Sequence, residues 1–184
     1  IQEIPTSISI NNNTAVQTFV VKDTAVSGTT DSITLNFDGV GSVVNVGGET
    51  DGDGDIEAFT IVASAGASDL GVGNGFGADA TTITVKATSA LDLGSTAQFI
   101  VSTNFDASES TAAVTSVFAA KTIASETAVT IKGGAGADQF DIGTFTAEGN
   151  FGDLTVDMGA ANDTLDLGAV ADTDTGSSIK GGAG

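Results

Sequence analysis

The chain has 184 residues, with 24 acidic side chains against five lysines, and its formal net charge is −19 at pH 7. That charge opposes binding to nucleic-acid phosphates, which recruit Lys and Arg, and to anionic membrane surfaces. The sequence contains no Cys, His, Trp or Tyr, which removes disulfides, thiolate nucleophiles and the most frequent general base. We therefore predict a chain that is not an enzyme, does not bind nucleic acid and does not insert into a membrane.

The remaining composition predicts a folded chain whose charge is neutralised by bound cations. Hydrophobic residues make up 40% of the sequence and the mean hydropathy is +0.23, which is too apolar for a chain kept unfolded by its charge. A net charge of −19 nevertheless destabilises a compact state through self-repulsion. Bound divalent cations are the obvious means of neutralising it.

Short runs of alternating apolar and polar residues, rich in Thr, Val and Ile, predict β-strands along the whole chain. From the N-terminus these runs are Ser7–Ile10, Phe19–Val21, Ser32–Phe37, Val43–Val46, Ala58–Val62, Thr82–Lys86, Gln98–Val101, Ala128–Lys132, Leu154–Met158 and Ser178–Lys180. The Ala-rich stretch 108–121 contains no glycine, but its β-branched residues favour a strand over a helix. We predict an all-β chain.

An acidic cluster follows the first four predicted strands. Asp51, Asp53 and Asp55 alternate with glycines and resemble the start of an EF-hand loop. The resemblance then fails, because Ile56 stands where that loop needs glycine and Val62 where it needs a bidentate Glu. The cluster is either a calcium-binding loop of another kind, with the three aspartates as ligands, or a solvated acidic turn between two strands.

The most specific pattern is the run Gly133-Gly134-Ala135-Gly136-Ala137-Asp138-Gln139-Phe140-Asp141. It fits the nine-residue pattern G-G-x-G-x-D-x-U-x, with U a large apolar residue, at each specified position. Glycines let the backbone curl so that carbonyl oxygens converge, and the aspartate adds a carboxylate to a set of oxygens suited to calcium. The apolar residue then starts a short strand that anchors the turn to a core.

Two further copies of this pattern follow. Residues Ile131–Gly136 recur identically as Ile179–Gly184, 48 residues later. A degenerate copy lies between them, and its residues at positions 1, 2, 4, 6 and 8 are Met158, Gly159, Ala161, Asp163 and Leu165. The copies are 25 and 23 residues apart, and each follows a short strand. Each repeat therefore predicts one coil of a β-solenoid with a calcium-type turn on one edge.

At these residues the chain resembles the RTX-type calcium-binding β-rolls of secreted bacterial proteins. In that family the nine-residue repeats usually follow one another directly, whereas here a strand and a loop separate them. The interspersed arrangement is more similar to bacterial surface-layer (S-layer) proteins that carry RTX motifs, as are the segment 105–115 leading to 129–134 and, less specifically, residues 54–61. The RTX resemblance covers residues 129–184.

The resemblance implies a row of calcium ions shared between neighbouring coils. Its ligands would be Gly134, Gly136 and Asp138 in the first copy, Gly159, Ala161 and Asp163 in the second, and Gly182 and Gly184 in the third. The glycines and Ala161 would supply carbonyl oxygens, and the aspartates would supply carboxylates. Calcium takes 6–8 oxygens, so two stacked turns can saturate an ion that one turn cannot.

The fold and function implied by the resemblance are those of a structural surface protein. We expect a β-rich part, a sandwich or an irregular solenoid, at residues 1–104, and an RTX-like β-solenoid at residues 105–184 that continues past Gly184. We expect a component of a secreted bacterial cell-surface assembly, an S-layer lattice or a filament, located outside the cell. Ca²⁺ would fold and assemble it, its main partner would be itself, and a cell-surface glycan is a further candidate partner.

Two other classes of function remain open. One is an adhesin or ligand-binding module, such as a Thr-rich solenoid that binds ice or a glycan. A flat, regular array of Thr on one face would support this class, and the spacing of Thr along the sequence is irregular. The other is the non-catalytic C-terminal part of an exported RTX enzyme, which a catalytic motif in adjoining sequence would indicate.

Overall fold

The computed structural model describes residues 6–21, 30–41, 44–48, 56–70, 80–94, 103–118, 121–124, 128–142, 145–148, 153–168 and 176–184. All regular elements in these ranges are β-strands, and their pairs are parallel. Parallel sheets of this kind form a β-solenoid, so the predicted all-β solenoid is confirmed. The described ranges contain no helix long and apolar enough to span a membrane.

The described residues form seventeen strands. They are β1 (Ser7–Asn11), β2 (Gln17–Val21), β3 (Ser32–Asp38), β4 (Val44–Gly48), β5 (Ala58–Ala63), β6 (Ser68–Asp69), β7 (Thr82–Ala87), β8 (Leu91–Asp92), β9 (Asn104–Asp106), β10 (Val114–Phe118), β11 (Lys121–Ala124), β12 (Val129–Lys132), β13 (Gln139–Ile142), β14 (Phe145–Glu148), β15 (Leu154–Asp157), β16 (Thr164–Leu167) and β17 (Ser178–Lys180). The predicted strand Gln98–Val101 lies outside the described residues, and β10 confirms a strand within the stretch 108–121.

Two large sheets run along the solenoid. One has eight strands in the order β1-β3-β5-β7-β9-β12-β15-β17, and the other has five in the order β16-β13-β10-β8-β6. Two smaller sheets pair β11 with β14 and β2 with β4. Paired residues in the eight-stranded sheet are 22 to 27 positions apart in the sequence. Each strand of that sheet is therefore one coil further along the chain than its neighbour.

The coil length predicted from the C-terminal repeats extends toward the N-terminus. The spacings of 25 and 23 residues recur as the registers of β12 with β15 and of β15 with β17. Strands β5 and β7 pair with an offset of 24 residues. The eight-stranded sheet is continuous through residue 104, because β9 pairs with both β7 and β12. The division of the chain there into two domains stays a prediction.

The core lies between the inner faces of the two large sheets. Alternate residues of each strand point inward, so the register places apolar side chains of equivalent position on top of one another. One such column is Ile33, Phe59, Ile83, Phe105, Ile131 and Val156, all of them buried. Phe105, Phe118 and Phe140 pack edge to face with ring centroids 5.0 to 5.9 Å apart, a geometry that adds attraction between the aromatic rings.

Buried hydroxyl groups join successive coils. Ser110 Oγ accepts a hydrogen bond from Ala87 N (3.0 Å) and donates one to Val85 O (3.1 Å), both in the preceding coil. Ser116 is equally buried, but its Oγ has no hydrogen-bond partner. A buried hydroxyl without a partner loses its hydration and gains nothing in return.

These two serines should respond oppositely to the same substitution. We expect Ser116→Ala to raise the free energy of unfolding by about 1 kcal/mol, because it removes an unsatisfied hydroxyl. Ser110→Ala should lower it by about 1–3 kcal/mol, because Ala87 N–H is left without its acceptor. Urea unfolding followed by circular dichroism measures both. Equal effects of the two substitutions would contradict this assignment of the hydroxyls.

Candidate functional site at the stacked glycine turns

The three copies of the glycine-rich turn lie in line along one edge of the solenoid. Strands β12, β15 and β17 pair in register and lead into them. Ala160 N donates to Gly134 O (2.8 Å) in the first junction, and Ala183 N donates to Gly159 O (3.2 Å) in the second. Equivalent residues of the three copies are therefore neighbours in space. The structure thus stacks the predicted ligands of equivalent position on one another, and their binding of calcium stays a prediction.

Glycine is required in these turns by close approach of the preceding coil. Gly159 and Gly182 have φ of +87° and +81°, a region that side chains with a Cβ rarely adopt. A Cβ on Gly159 would overlap Gly134 O, and one on Gly182 would overlap Gly159 O. Gly184 is constrained in the same way by the carbonyl of Ala161. These residues let successive turns stack at backbone distance.

The degenerate copy differs from the other two at Met158 and Ala161. Met158 is 1% exposed and adds its side chain to the core. Ala161 has φ of +89°, and Asn12 is the other non-glycine residue of the described ranges with positive φ. Ala161 thus adopts a left-handed conformation that favours glycine, at a cost of about 1–2 kcal/mol for an L-residue with a Cβ, whereas Gly136 at the same position of the first copy does not have positive φ.

Asp138 is completely buried, and both of its carboxylate oxygens accept backbone hydrogen bonds. Oδ1 accepts from Val114 N (2.8 Å), one coil earlier, and Oδ2 accepts from Gly134 N (2.7 Å), at the start of the same turn. Burial and the nearby charge of Asp163 raise the pKa of Asp138 above its ordinary value, although the two hydrogen bonds oppose that change. The carboxylate therefore closes its own turn and attaches it to the coil before it.

Asp163 repeats only half of this arrangement. Its Oδ1 accepts from Asp138 N (2.9 Å), one coil earlier, but its Oδ2 is buried without a hydrogen-bond partner. In the first copy, Gly134 N, four residues before Asp138, donates a hydrogen bond to the corresponding oxygen, Asp138 Oδ2. In the second copy the equivalent N–H, that of Gly159, donates instead to Asp157 Oδ1 (3.2 Å). One carboxylate oxygen of Asp163 is consequently left free at the junction between two turns.

Of the two aspartates, Asp163 has the carboxylate oxygen that no hydrogen bond engages. The free Oδ2 of Asp163 can accept a hard cation, whereas both Asp138 oxygens are already engaged. The carbonyls of Gly134 and Gly159 each accept one hydrogen bond and keep a second lone pair. Among the described residues, no three acidic side chains converge as in a preformed metal cage. Calcium would therefore have to draw on backbone carbonyls.

The remaining predicted ligands, Asp51, Asp53 and Asp55, lie outside the described residues. Calcium binding by any of the predicted ligands stays a prediction. Sequence reasoning missed Val114, which carries no motif, and Asp157, whose competition for the Gly159 N–H leaves Asp163 Oδ2 without a partner. In the sequence, the signal for Asp157 was its acidic side chain at the end of the predicted strand that precedes the second turn.

Comparison of the chain with protein-family models, curated proteins and solved structures found no match.

The glycine requirement can be tested within one turn. We expect Ala161→Gly to raise the free energy of unfolding by about 1 kcal/mol, because glycine adopts positive φ without steric cost. Gly159→Ala should lower it by about 2 kcal/mol or more, because the new Cβ overlaps Gly134 O at a backbone that is also at positive φ. Chemical unfolding measures both, and a destabilising Ala161→Gly would contradict the described turn.

Proposed function

We propose that this chain is a calcium-stabilised β-solenoid segment of a structural protein at the bacterial cell surface, which assembles with copies of itself into a lattice or filament. The observation that carries the calcium assignment is the buried, unpartnered Oδ2 of Asp163, adjacent to the buried carboxylate of Asp138. A buried carboxylate beside a second carboxylate destabilises a fold unless a positive charge compensates the two.

Calcium, when bound, would supply that positive charge between successive coils. Asp163 would offer its free oxygen, and the carbonyls of Gly134 and Gly159 are backbone acceptors of the stacked turns with a lone pair in reserve. Asp138 would contribute chiefly by holding the first turn in place. Extracellular calcium modules bind with Kd of about 10⁻⁴–10⁻³ M, and a tenfold excess stabilises the fold by roughly 1.4 kcal/mol per site.

The proposal places folding under the control of the calcium concentration. Each coil pairs only with its neighbours, so its stability depends on the two junctions that it forms. At the low calcium concentration inside a cell, the carboxylates at these junctions would repel one another. The chain would then stay unfolded more readily and be easier to export. Higher calcium outside would stabilise the coils and so permit assembly. The net charge of −19 makes this dependence stronger, because the folded chain concentrates its carboxylates.

One observation favours the adhesin class as a second candidate. Thr34, Thr60 and Thr84 are irregularly spaced in the sequence, but they pair in register on the outer face of the eight-stranded sheet. Thr82 lies beside Thr84 on the same face. A neutral polysaccharide could bind such a row of hydroxyls. Sedimentation with an insoluble neutral polysaccharide, lost in the Thr60→Lys variant, would support this alternative.

Calcium dependence is tested by a matched pair of substitutions. Asp163→Asn keeps the Oδ1 acceptor for Asp138 N–H and removes the charge at the free oxygen. Asp166→Asn makes the same change three residues later, on an exposed side chain of the same strand region. We expect calcium to raise the urea midpoint of the unmodified protein and of Asp166→Asn. In Asp163→Asn, calcium should raise the midpoint much less.

Magnesium and excess EGTA are the controls for this experiment. Magnesium should stabilise less than calcium, because it requires a regular octahedral site. The calcium proposal would be wrong if the unfolding midpoint and the state of assembly were the same in calcium and in EGTA. Equal calcium responses of the two variants would reject Asp163 as the ligand.

A further inference from the structure

The outer face of the eight-stranded sheet carries a charge pattern unlike that of the outer face of the five-stranded sheet. A single column of outward residues, one from each strand and in register, runs along this face. From the N-terminal end it consists of Ser7, Thr34, Thr60, Thr84, Asp106, Lys132, Asp157 and Lys180. The first four positions are uncharged hydroxyls. The last four alternate strictly between acid and base.

The neighbouring column on the same face is uncharged from end to end. Its members, again in register, are Ser32, Ala58, Thr82, Asn104, Thr130, Thr155 and Ser178. Over all outward positions of the eight strands, the charged residues are Asp38, Lys86, Asp106, Lys132, Asp157 and Lys180. Three acids and three lysines give the strands of this face a formal charge of zero, and Glu109, which follows β9, pairs with Lys86 (3.0 Å).

The charged residues on the outer face of the five-stranded sheet are all acidic. Its outward charged residues are Asp69, Asp92, Asp141 and Asp166, with no base among them. The register makes Asp69 the neighbour of Asp92, and Asp141 the neighbour of Asp166. Two copies approaching through this face would meet with like charges. The neutral face of the eight-stranded sheet has no such barrier.

The lysines of the neutral face remain accessible. Lys132 lies 3.2 Å from Asp106, Lys180 lies 3.8 Å from Asp157, and both lysine side chains are 44% or more exposed. Surface pairs of this kind contribute only about 0.2–1 kcal/mol each to folding. They can therefore exchange or share partners with a second molecule without unfolding the coil.

We propose that the outer face of the eight-stranded sheet is the surface through which copies of this chain associate. The inference rests on the proposed self-assembling function and names its contact surface. Two copies related by a two-fold axis perpendicular to the solenoid axis run in opposite directions, so Asp106 would meet Lys180 of the second copy and Lys132 would meet its Asp157. Copies aligned in the same direction and in register would set like charges together, and a shift by one coil would form three acid–base pairs against the four of the antiparallel arrangement. The alternating column therefore favours the antiparallel arrangement on this face.

The contact is small. Four charged strands at about 4.8 Å spacing cover about 19 Å along the axis, which is well below the extent of a stable, standard-size interface. The contact should therefore be weak, and because a two-fold contact joins only two copies, a lattice or filament would need a second contact besides this one. Salt should weaken the contact, because the Debye length falls to about 3 Å at 1 M ionic strength.

Complementary charge reversal tests the proposal. Variant A carries Lys132→Glu and Lys180→Glu, which makes the last four column positions acidic. Variant B carries Asp106→Lys and Asp157→Asn, which leaves only basic charges in the column and keeps the Oδ1 acceptor for the Gly159 N–H. Variant C, the control for B, carries Asp141→Lys and Asp166→Asn, the same change of net charge on the five-stranded sheet. Sedimentation velocity and electron microscopy in calcium measure association, and circular dichroism monitors folding.

We expect A and B alone to lose at least tenfold in association, an equimolar mixture of A and B to recover it, and C to associate as well as the unmodified protein. An unmodified protein that stays monomeric in calcium overturns the proposed self-assembly together with this inference. An unmodified protein that assembles, while A and B assemble equally well, overturns only the assignment of the face. Failure of the A and B mixture to recover association also overturns that assignment.

Discussion

The stacking of each coil directly on the one before it is the constraint on which the rest of this structure depends. In an all-parallel sheet with in-register pairing, the nearest neighbour of a residue is its equivalent about 24 positions earlier, at a strand spacing of about 4.8 Å. Residue identity is therefore decided largely by the preceding coil. Gly159 lacks a side chain because Gly134 O occupies that space, and Asp138 is buried because Val114 N–H needs an acceptor.

Stacking of equivalents favours apolar side chains and penalises charged ones. Apolar columns gain from every added coil, since each side chain covers the next. In a column of identical charges, every side chain repels its neighbours. The charged columns of the two large sheets differ in this respect. Along the eight-stranded sheet, acids alternate with lysines, whereas along the five-stranded sheet Asp141 and Asp166 stand together on an exposed face. The two faces of one solenoid thus have different electrostatic environments.

The sequence predicted much of this fold because the pattern of a solenoid is local and repeated. Alternation located the long strands, and the spacing of the glycine repeats predicted the registers of β12, β15 and β17. The two-residue strands β6 and β8 have no alternation to detect and are held by pairing with their neighbours. The Thr column was hidden, because coils of unequal length bring Thr34, Thr60 and Thr84 into register from unequal spacings.

The sequence predicted which residues line the stacked turns, but it did not predict the hydrogen bonds that they form. The repeat pattern located Asp138 and Asp163 at equivalent positions, but it could not distinguish their roles. That difference depends on Asp157, which takes the N–H of Gly159 and so deprives Asp163 of a donor that Asp138 retains. A single competing side chain outside the motif decides which aspartate has a free oxygen.

The parallel order of the eight-stranded sheet also has a mechanical consequence. The first and last strands of that sheet lie at opposite ends of the solenoid axis, so tension applied between them acts along the stack and separates coils one at a time. A coil occupies about 4.8 Å of the axis, but 25 residues of extended chain reach about 80 Å. Detaching one terminal coil would therefore replace about 4.8 Å of axis with about 80 Å of extended chain and leave the remaining coils paired. A solenoid of this kind would yield under load one coil at a time.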